Sequence, residues 1–234
     1  MRIPVLLCRV DGNFGGVERH ILSLAQYLDP SRYEPVIAAI ANQGELLRKA
    51  RELGITAEFV PMASRVAIPS TSRKILEIAQ KHNAGLIHTF GLRSNTLVNR
   101  MIGELGVPWI IRLPNINTTD YTNPIQGQFS HILNNYLIRR CSALHVISPQ
   151  LKSFVESWWN PPKHIYCIPN GVDTSVFYPS DPPPDQPQIT IGSTGRLEPI
   201  KGYDVLLYAL AHIKDDYPDM KIILTGEGKE EPEL

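Results

Sequence analysis

The chain has 234 residues, 43% hydrophobic and 20% charged, with 23 basic and 23 acidic side chains. This is globular composition, long enough for one large domain or for one domain and part of another. Zero net charge argues against a protein that grips nucleic acid by neutralising phosphates, although it leaves room for a local basic pocket around one diphosphate.

The first apolar run, Ile3 to Val10, is broken by Pro4 and Arg9 and followed at once by Asp11 and Gly12. It is too short for a membrane span and lacks a cleavage region, so it is read as a strand and not as a signal peptide. The expected strands are Val5–Val10, Pro35–Ile40, Ala57–Pro61, Gly85–Phe90, Trp109–Leu113 and Leu144–Ser148. Between most of them lie helical stripes: Val17, Ile21, Leu24, Ala25 and Leu28, then Leu46, Leu47, Ala50 and Leu53 before Gly54, then Ile75, Ile78 and Ala79. Strand and helix in alternation imply an α/β domain with a parallel sheet covered on both faces. Strands that are apolar throughout agree with burial on both sides.

Ile165 to Asp173 reads as a short strand entering a turn at Asn170-Gly171. From Pro179 to Pro187, five of nine residues are proline, which suits a semi-rigid linker and no regular element. Past it the alternation restarts with a strand at Ile189–Ser193, a stripe at Leu206, Ala209, Leu210 and Ile213, and a strand at Met220–Leu224. The expected organisation is a first domain at 1–180, a linker at 181–187 and the incomplete beginning of a second domain at 188–234, since two strands and one helix close no core.

Cys8, Cys141 and Cys167 form no C-x-x-C pair and are odd in number. They are read as buried thiols in a reducing, cytoplasmic setting, compatible with peripheral membrane contact.

Three loops carry chemistry. Gly12-Asn13-Phe14-Gly15-Gly16-Val17-Glu18-Arg19 joins the first strand to the first helix. Glycines there let backbone approach an anion at a helix N-terminus, and a plain tight turn explains them equally well. The spacing is neither G-x-G-x-x-G nor a P-loop. Gly195-Arg196-Leu197-Glu198-Pro199-Ile200-Lys201-Gly202 places a guanidinium and an ammonium on a second such loop, where they suit a diphosphate or an ordinary charged surface. Gly226-Glu227-Gly228 follows the last strand and fits close backbone packing near a ligand or a turn.

Taken in order, Gly15-Gly16-Val17-Glu18-Arg19, Ile168-Pro169-Asn170-Gly171-Val172-Asp173, Phe177-Tyr178-Pro179, Gly195-Arg196-Leu197 with Lys201-Gly202, and Gly226-Glu227-Gly228 resemble the family 4 glycosyltransferases of the GT-B fold. The resemblance covers nearly the whole chain. It implies two Rossmann-like domains around a cleft and transfer of a sugar, with retention of configuration, from a nucleotide-diphosphate sugar to an acceptor. It implies that Gly15, Gly16, Arg196 and Lys201 contact the donor diphosphate, with Gly226, Glu227 and Gly228 on an adjacent loop. It implies no metal and no other cofactor, the nucleotide sugar being a co-substrate, and the chain has no Asp-x-Asp motif.

The chain departs from the family pattern twice. The family's pair of glutamates with seven residues between them has no counterpart here, and its place lies beyond Leu234. Many relatives carry a histidine after the fifth strand, where this chain has Arg112-Leu113-Pro114-Asn115. His88, Arg93, Arg112 and Asn115 are the acceptor-side candidates. His88, ending the fourth strand, also suits a structural role. Trp158-Trp159 is expected between domains or against the linker, and Arg139-Arg140 on a solvated face or, alternatively, against anionic lipid. The functional expectation is a glycosyltransferase of which residues 1–234 alone transfer little sugar. A non-catalytic binding module and a nucleotide-sugar 2-epimerase are the alternatives, and the acceptor (lipid-linked, polysaccharide or small molecule) stays open.

Overall fold

The computed structural model describes residues 2–10, 15–64, 67–115, 124–179 and 189–232. The chain divides into two compact units, Met1–Val172 and Asp173–Leu234. The expected proline-rich linker at 181–187 lies outside the described residues.

The first unit is a parallel α/β domain. Its strands are β1 (Ile3–Val10), β2 (Tyr33–Ile40), β3 (Thr56–Val60), β4 (Leu86–Phe90), β5 (Trp109–Leu113), β6 (Ala143–Val146) and β7 (Ile165–Cys167), in the sheet order β3-β2-β1-β4-β5-β6-β7. All pairings are parallel. Helices α1 (Gly16–Tyr27) and α2 (Gly44–Glu52) bury Ile21, Leu22, Ala25, Leu46, Leu47 and Ala50 against Val5, Leu7, Ile37 and Ala39 on one face. The opposite face is covered by α3 (Ile68–Lys81), α4 (Leu92–Asn99), α6 (Pro124–Arg140) and α7 (Pro149–Glu156), and a short α5 (Ile102–Leu105) precedes β5. The central strands are therefore buried on both sides, as their unbroken apolar runs require.

Helices α4, α5 and α7 escape the periodicity reading. α5 has four residues and the other two have eight. The buried face of α4 includes Ser94 and Asn95, so no apolar stripe marks it. Ser94 is satisfied locally, its hydroxyl donating to the Gly91 carbonyl at 2.8 Å.

Chain order reverses across the sheet between β1 and β4: β1 leads outward to β2 and β3, and β4 returns to its other side. In such sheets, ligands bind beyond the carboxyl ends of the strands at that reversal.

The second unit is smaller. Strands β8 (Thr190–Thr194) and β9 (Lys221–Thr225) pair in parallel, with a 3-10 turn at Pro199–Lys201 and helix α8 (Tyr203–Ile213) between them. Leu197, Tyr203 and Leu210 are its buried apolar side chains, while Val205, Tyr208, Ile222 and Ile223 are exposed.

Candidate functional site

The reversal point of the first unit holds a cavity of about 270 Å³, with Arg9, Asn95, Arg112, Asn115, Asn134 and Asn135 among its lining residues. Arg9, next to last in β1, crosses to α1, where its Nε donates to Glu18 Oε1 at 2.7 Å. The other carboxylate oxygen of Glu18 accepts the Gly15 N–H at 3.0 Å. Gly15 has no side chain to return the capping bond, so Glu18 alone ties the helix start to the strand end. Arg9 Nη1 also donates to the Phe90 carbonyl at 3.0 Å, which links β4 to the same knot. A methyl on Gly91 would come 2.9 Å from that nitrogen, and Gly91 sits at φ +106. Glycine is needed there on both counts.

Arg112, next to last in β5, is in register with Phe90 of β4 and His145 of β6. It is 4% exposed. Its Nη2 donates to Asn170 Oδ1 at 2.8 Å, while its buried Nε meets no partner and no carboxylate pairs with it among the described residues. Burial first, and the nearby Arg9 charge second, lower the Arg112 pKa from its ordinary value. A buried guanidinium without a counter-charge is costly unless a ligand supplies one.

Beside Arg112 lie three imidazoles. His20 of α1, His88 of β4 and His145 of β6 have ring centroids 5.6–5.8 Å apart where paired, and His88 lies 4.3 Å from the Phe90 ring. Burial is the largest cause that lowers all three pKa values, His20 to about 4 and His88 well below the usual histidine range. They are neutral at pH 7. His145 Nε2 lies 2.9 Å from the Ile168 carbonyl and donates to it, since a carbonyl only accepts. Among the described residues no three His, Cys, Asp or Glu side chains are grouped to hold a metal.

The sequence-derived candidates fall in different places. Gly15 and Gly16 open α1 at the reversal point, while Gly12, Asn13 and Phe14 lie outside the described residues. Arg112 and Asn115 line the cavity. His88 does not: it sits behind the wall, buried against Phe90. Arg93 borders a second, apolar recess of about 170 Å³ with Met62, Leu92 and Leu133. Trp158 packs edge-on to Phe154 and under Arg139, both in the first unit, and Trp159 is 93% exposed. Arg139 donates to the Trp159 and Asn160 carbonyls, and Arg140 to Asn99 Oδ1.

Sequence reasoning assigned no role to Arg9, Glu18, Asn95, Asn134 or Asn135. Arg9 carried a usable signal, a charge at the carboxyl end of a buried strand. The asparagines carried none, because only the docking of α4 and α6 turns them inward.

In the second unit, Arg196 and Lys201 are exposed on the loop between β8 and α8. Gly202 at φ +65 starts α8, whose first N–H groups face that loop. Gly195 N–H donates to the Thr225 carbonyl and Leu197 N–H to the Glu227 carbonyl, both at 2.9 Å. A methyl on Gly226 would overlap the Gly195 carbonyl, and one on Gly228 the Leu197 carbonyl. These glycines therefore bring the loop after β9 against the loop that carries Arg196.

The family model for Glycosyltransferase Family 4 matches residues 14–176. The chain is 22% identical over 222 residues to a subunit of phosphatidylinositol N-acetylglucosaminyltransferase from Arabidopsis thaliana, covering 92% of this chain and 50% of that protein. It is 26% identical over 224 residues to phosphatidyl-myo-inositol mannosyltransferase of Mycolicibacterium smegmatis, covering 93% of this chain and 56% of that protein. The chain thus spans about half the length of these relatives. Anabaena HepE, solved in complex with UDP and glucose, shares the fold with a TM-score of 0.75 at 18% identity, covering 97% of this chain and 62% of that one.

Proposed function

The chain belongs to glycosyltransferase family 4, and from that premise we propose that the protein transfers a sugar from a nucleoside-diphosphate donor to an acceptor hydroxyl in the polar cavity of its first unit. The observation that carries this is Arg112, which lines the cavity as a buried guanidinium with an unpartnered Nε and no carboxylate to neutralise it among the described residues. That group suits an anionic acceptor oxygen, while Asn95, Asn134 and Asn135 offer both donors and acceptors to a polyol. An acceptor that is a polyol bearing phosphate satisfies both, and the inositol lipids in the names of two relatives support it.

In the reaction the acceptor oxygen bonds to the anomeric carbon as the bond from that carbon to the diphosphate breaks, and the hydroxyl proton passes to the departing diphosphate. Arg196, Lys201 and the α8 N-terminus are assigned to the developing charge on the leaving diphosphate. The UDP and glucose bound in Anabaena HepE support a nucleotide-sugar donor. Retention of configuration rests on the resemblance of the motifs and is checked by the anomeric signals of the product. No metal and no organic cofactor are assigned.

The test is mass spectrometry of glycoside formed from UDP- or GDP-sugars with and without an inositol phosphate acceptor. The expected outcome is a glycoside only when both substrates are present. Arg112→Gln should raise the acceptor KM roughly tenfold, the worth of one charge-assisted hydrogen bond, with the donor KM unchanged. Donor isomerised without an acceptor would replace this reading with an epimerase, and acceptor binding without turnover would replace it with a binding module.

A further inference from the structure

Two arginines line the cavity of the first unit, and their partners differ in charge. Arg9 is bonded to the Glu18 carboxylate, which cancels its charge, and to the Phe90 carbonyl. Arg112 is bonded to an amide instead. Its Nη2 donates to Asn170 Oδ1 at 2.8 Å, the one hydrogen bond of its guanidinium among the described residues. A guanidinium has five N–H donors in a rigid fork, so an anchor on one of them decides where the others point. An amide oxygen anchors the fork without neutralising it. A carboxylate in the same place would form an ion pair and leave no net charge for an anion.

The fold holds Asn170 firmly although it lies on a loop. β7 pairs with β6 and β6 with β5, so the loop leaving β7 starts two strands away from Arg112. Ile168, the first residue of that loop, is tied to β6 twice. Its N–H donates to the Val146 carbonyl at 2.9 Å, and its own carbonyl accepts from His145 Nε2 at 2.9 Å. His145 stands opposite Arg112 in the register of β6 and β5 and is 6% exposed, so burial fixes the imidazole that ties the loop. Pro169 then restricts the backbone immediately before Asn170. Asn170 itself is exposed, so its side chain is not there to fill the core.

We propose that Asn170 is a positioning residue for the acceptor: it orients the Arg112 guanidinium and, being neutral, leaves the positive charge to the acceptor's anionic group. Asn170 acts through Arg112 and not by touching the acceptor. The inference rests on the reading that Arg112 meets an anionic acceptor in the cavity. It adds that the amide of Asn170, and not merely an oxygen at that place, is what keeps Arg112 available. The pairing of Arg9 with Glu18 is the contrast within the same cavity, since there a carboxylate turns an arginine into a fixed structural tie.

The experiment is calorimetric titration of the chain with inositol monophosphate. Asn170→Ala should weaken binding by roughly threefold to tenfold, no more than Arg112→Gln does. It should cause no further loss once Arg112→Gln is present, because a residue that acts only through another has nothing left to act on. Asn170→Asp keeps an acceptor oxygen but neutralises Arg112, and should weaken binding at least as much as Asn170→Ala. Asn170 is exposed, so unchanged melting of both variants checks that the fold is intact. A role confined to the shape of the loop would give losses that add to that of Arg112→Gln, or near-normal binding in Asn170→Asp. Either result overturns the inference and leaves the acceptor reading standing. Binding that Arg112→Gln leaves unchanged, or no binding of inositol monophosphate to the unaltered chain, overturns that reading and this inference with it.

Discussion

Arg9, Glu18 and Arg112 are charges on buried backbone ends, and their different partners give them different work. Glu18 answers Arg9 and fixes the start of α1; Arg112 has no acid among the described residues, and the proposed acceptor contact rests on that. The histidines beside them make the region sensitive to acid. His88 is buried and its folded-state pKa is lowered, so the unfolded chain binds its proton more readily. Its contribution is fully present above the unfolded value near 6.5 and is lost as pH falls below it. The denaturation midpoint should drop between pH 7 and pH 5, by on the order of 1 kcal/mol per pH unit for this group. His88→Asn should flatten that drop, and an identical pH dependence in the variant would refute the assignment. At this scale the sequence was readable where a charge interrupts an apolar strand, as at Arg112. It was not readable at His20 or Asn135, since helix polarity does not say which side meets a cavity.

Elements meet here through glycine. The loop after β9 lies so close to the loop after β8 that backbone, not side chains, forms the contact. Gly226→Ala adds a methyl against the Gly195 carbonyl at φ +154 and should cost at least about 2 kcal/mol. The measurement is amide exchange at Gly195 and Leu197, whose N–H groups donate across this contact. Faster exchange at both is expected, and native protection in the variant would mean that the closed contact accommodates the methyl. The glycine spacing was legible in the sequence. The partner backbone was not, because residues 195–197 and 226–228 are distant along the chain and the parallel register of β8 and β9 joins them.

Across the whole molecule, apolar burial is concentrated in the first unit. Its two core clusters run through seven strands, while the second unit buries Leu197, Tyr203 and Leu210 and leaves Ile222 and Ile223 half exposed on β9. Local stability follows buried apolar contact. Native-state hydrogen exchange should therefore find β8 and β9 opening at far lower free energy than β1 and β4, by several kcal/mol. Equal protection in both units would show that some other interaction holds the smaller sheet.

The sequence by itself determined the alternation of strand and helix, the parallel sheet, the glycine loops at strand ends and the family. These are local, because hydrophobic period and turn chemistry are written in consecutive residues. Only the tertiary structure decided which polar side chains face one another. Arg9 reaches Glu18 across the β1–α1 turn, Arg112 reaches Asn170 because β6 and β7 follow β5 in the sheet, and three histidines gather from α1, β4 and β6. The same packing turned Leu137 inward and left Phe129 and Ile132 outside, a choice that the composition of α6, apolar on both sides, left open.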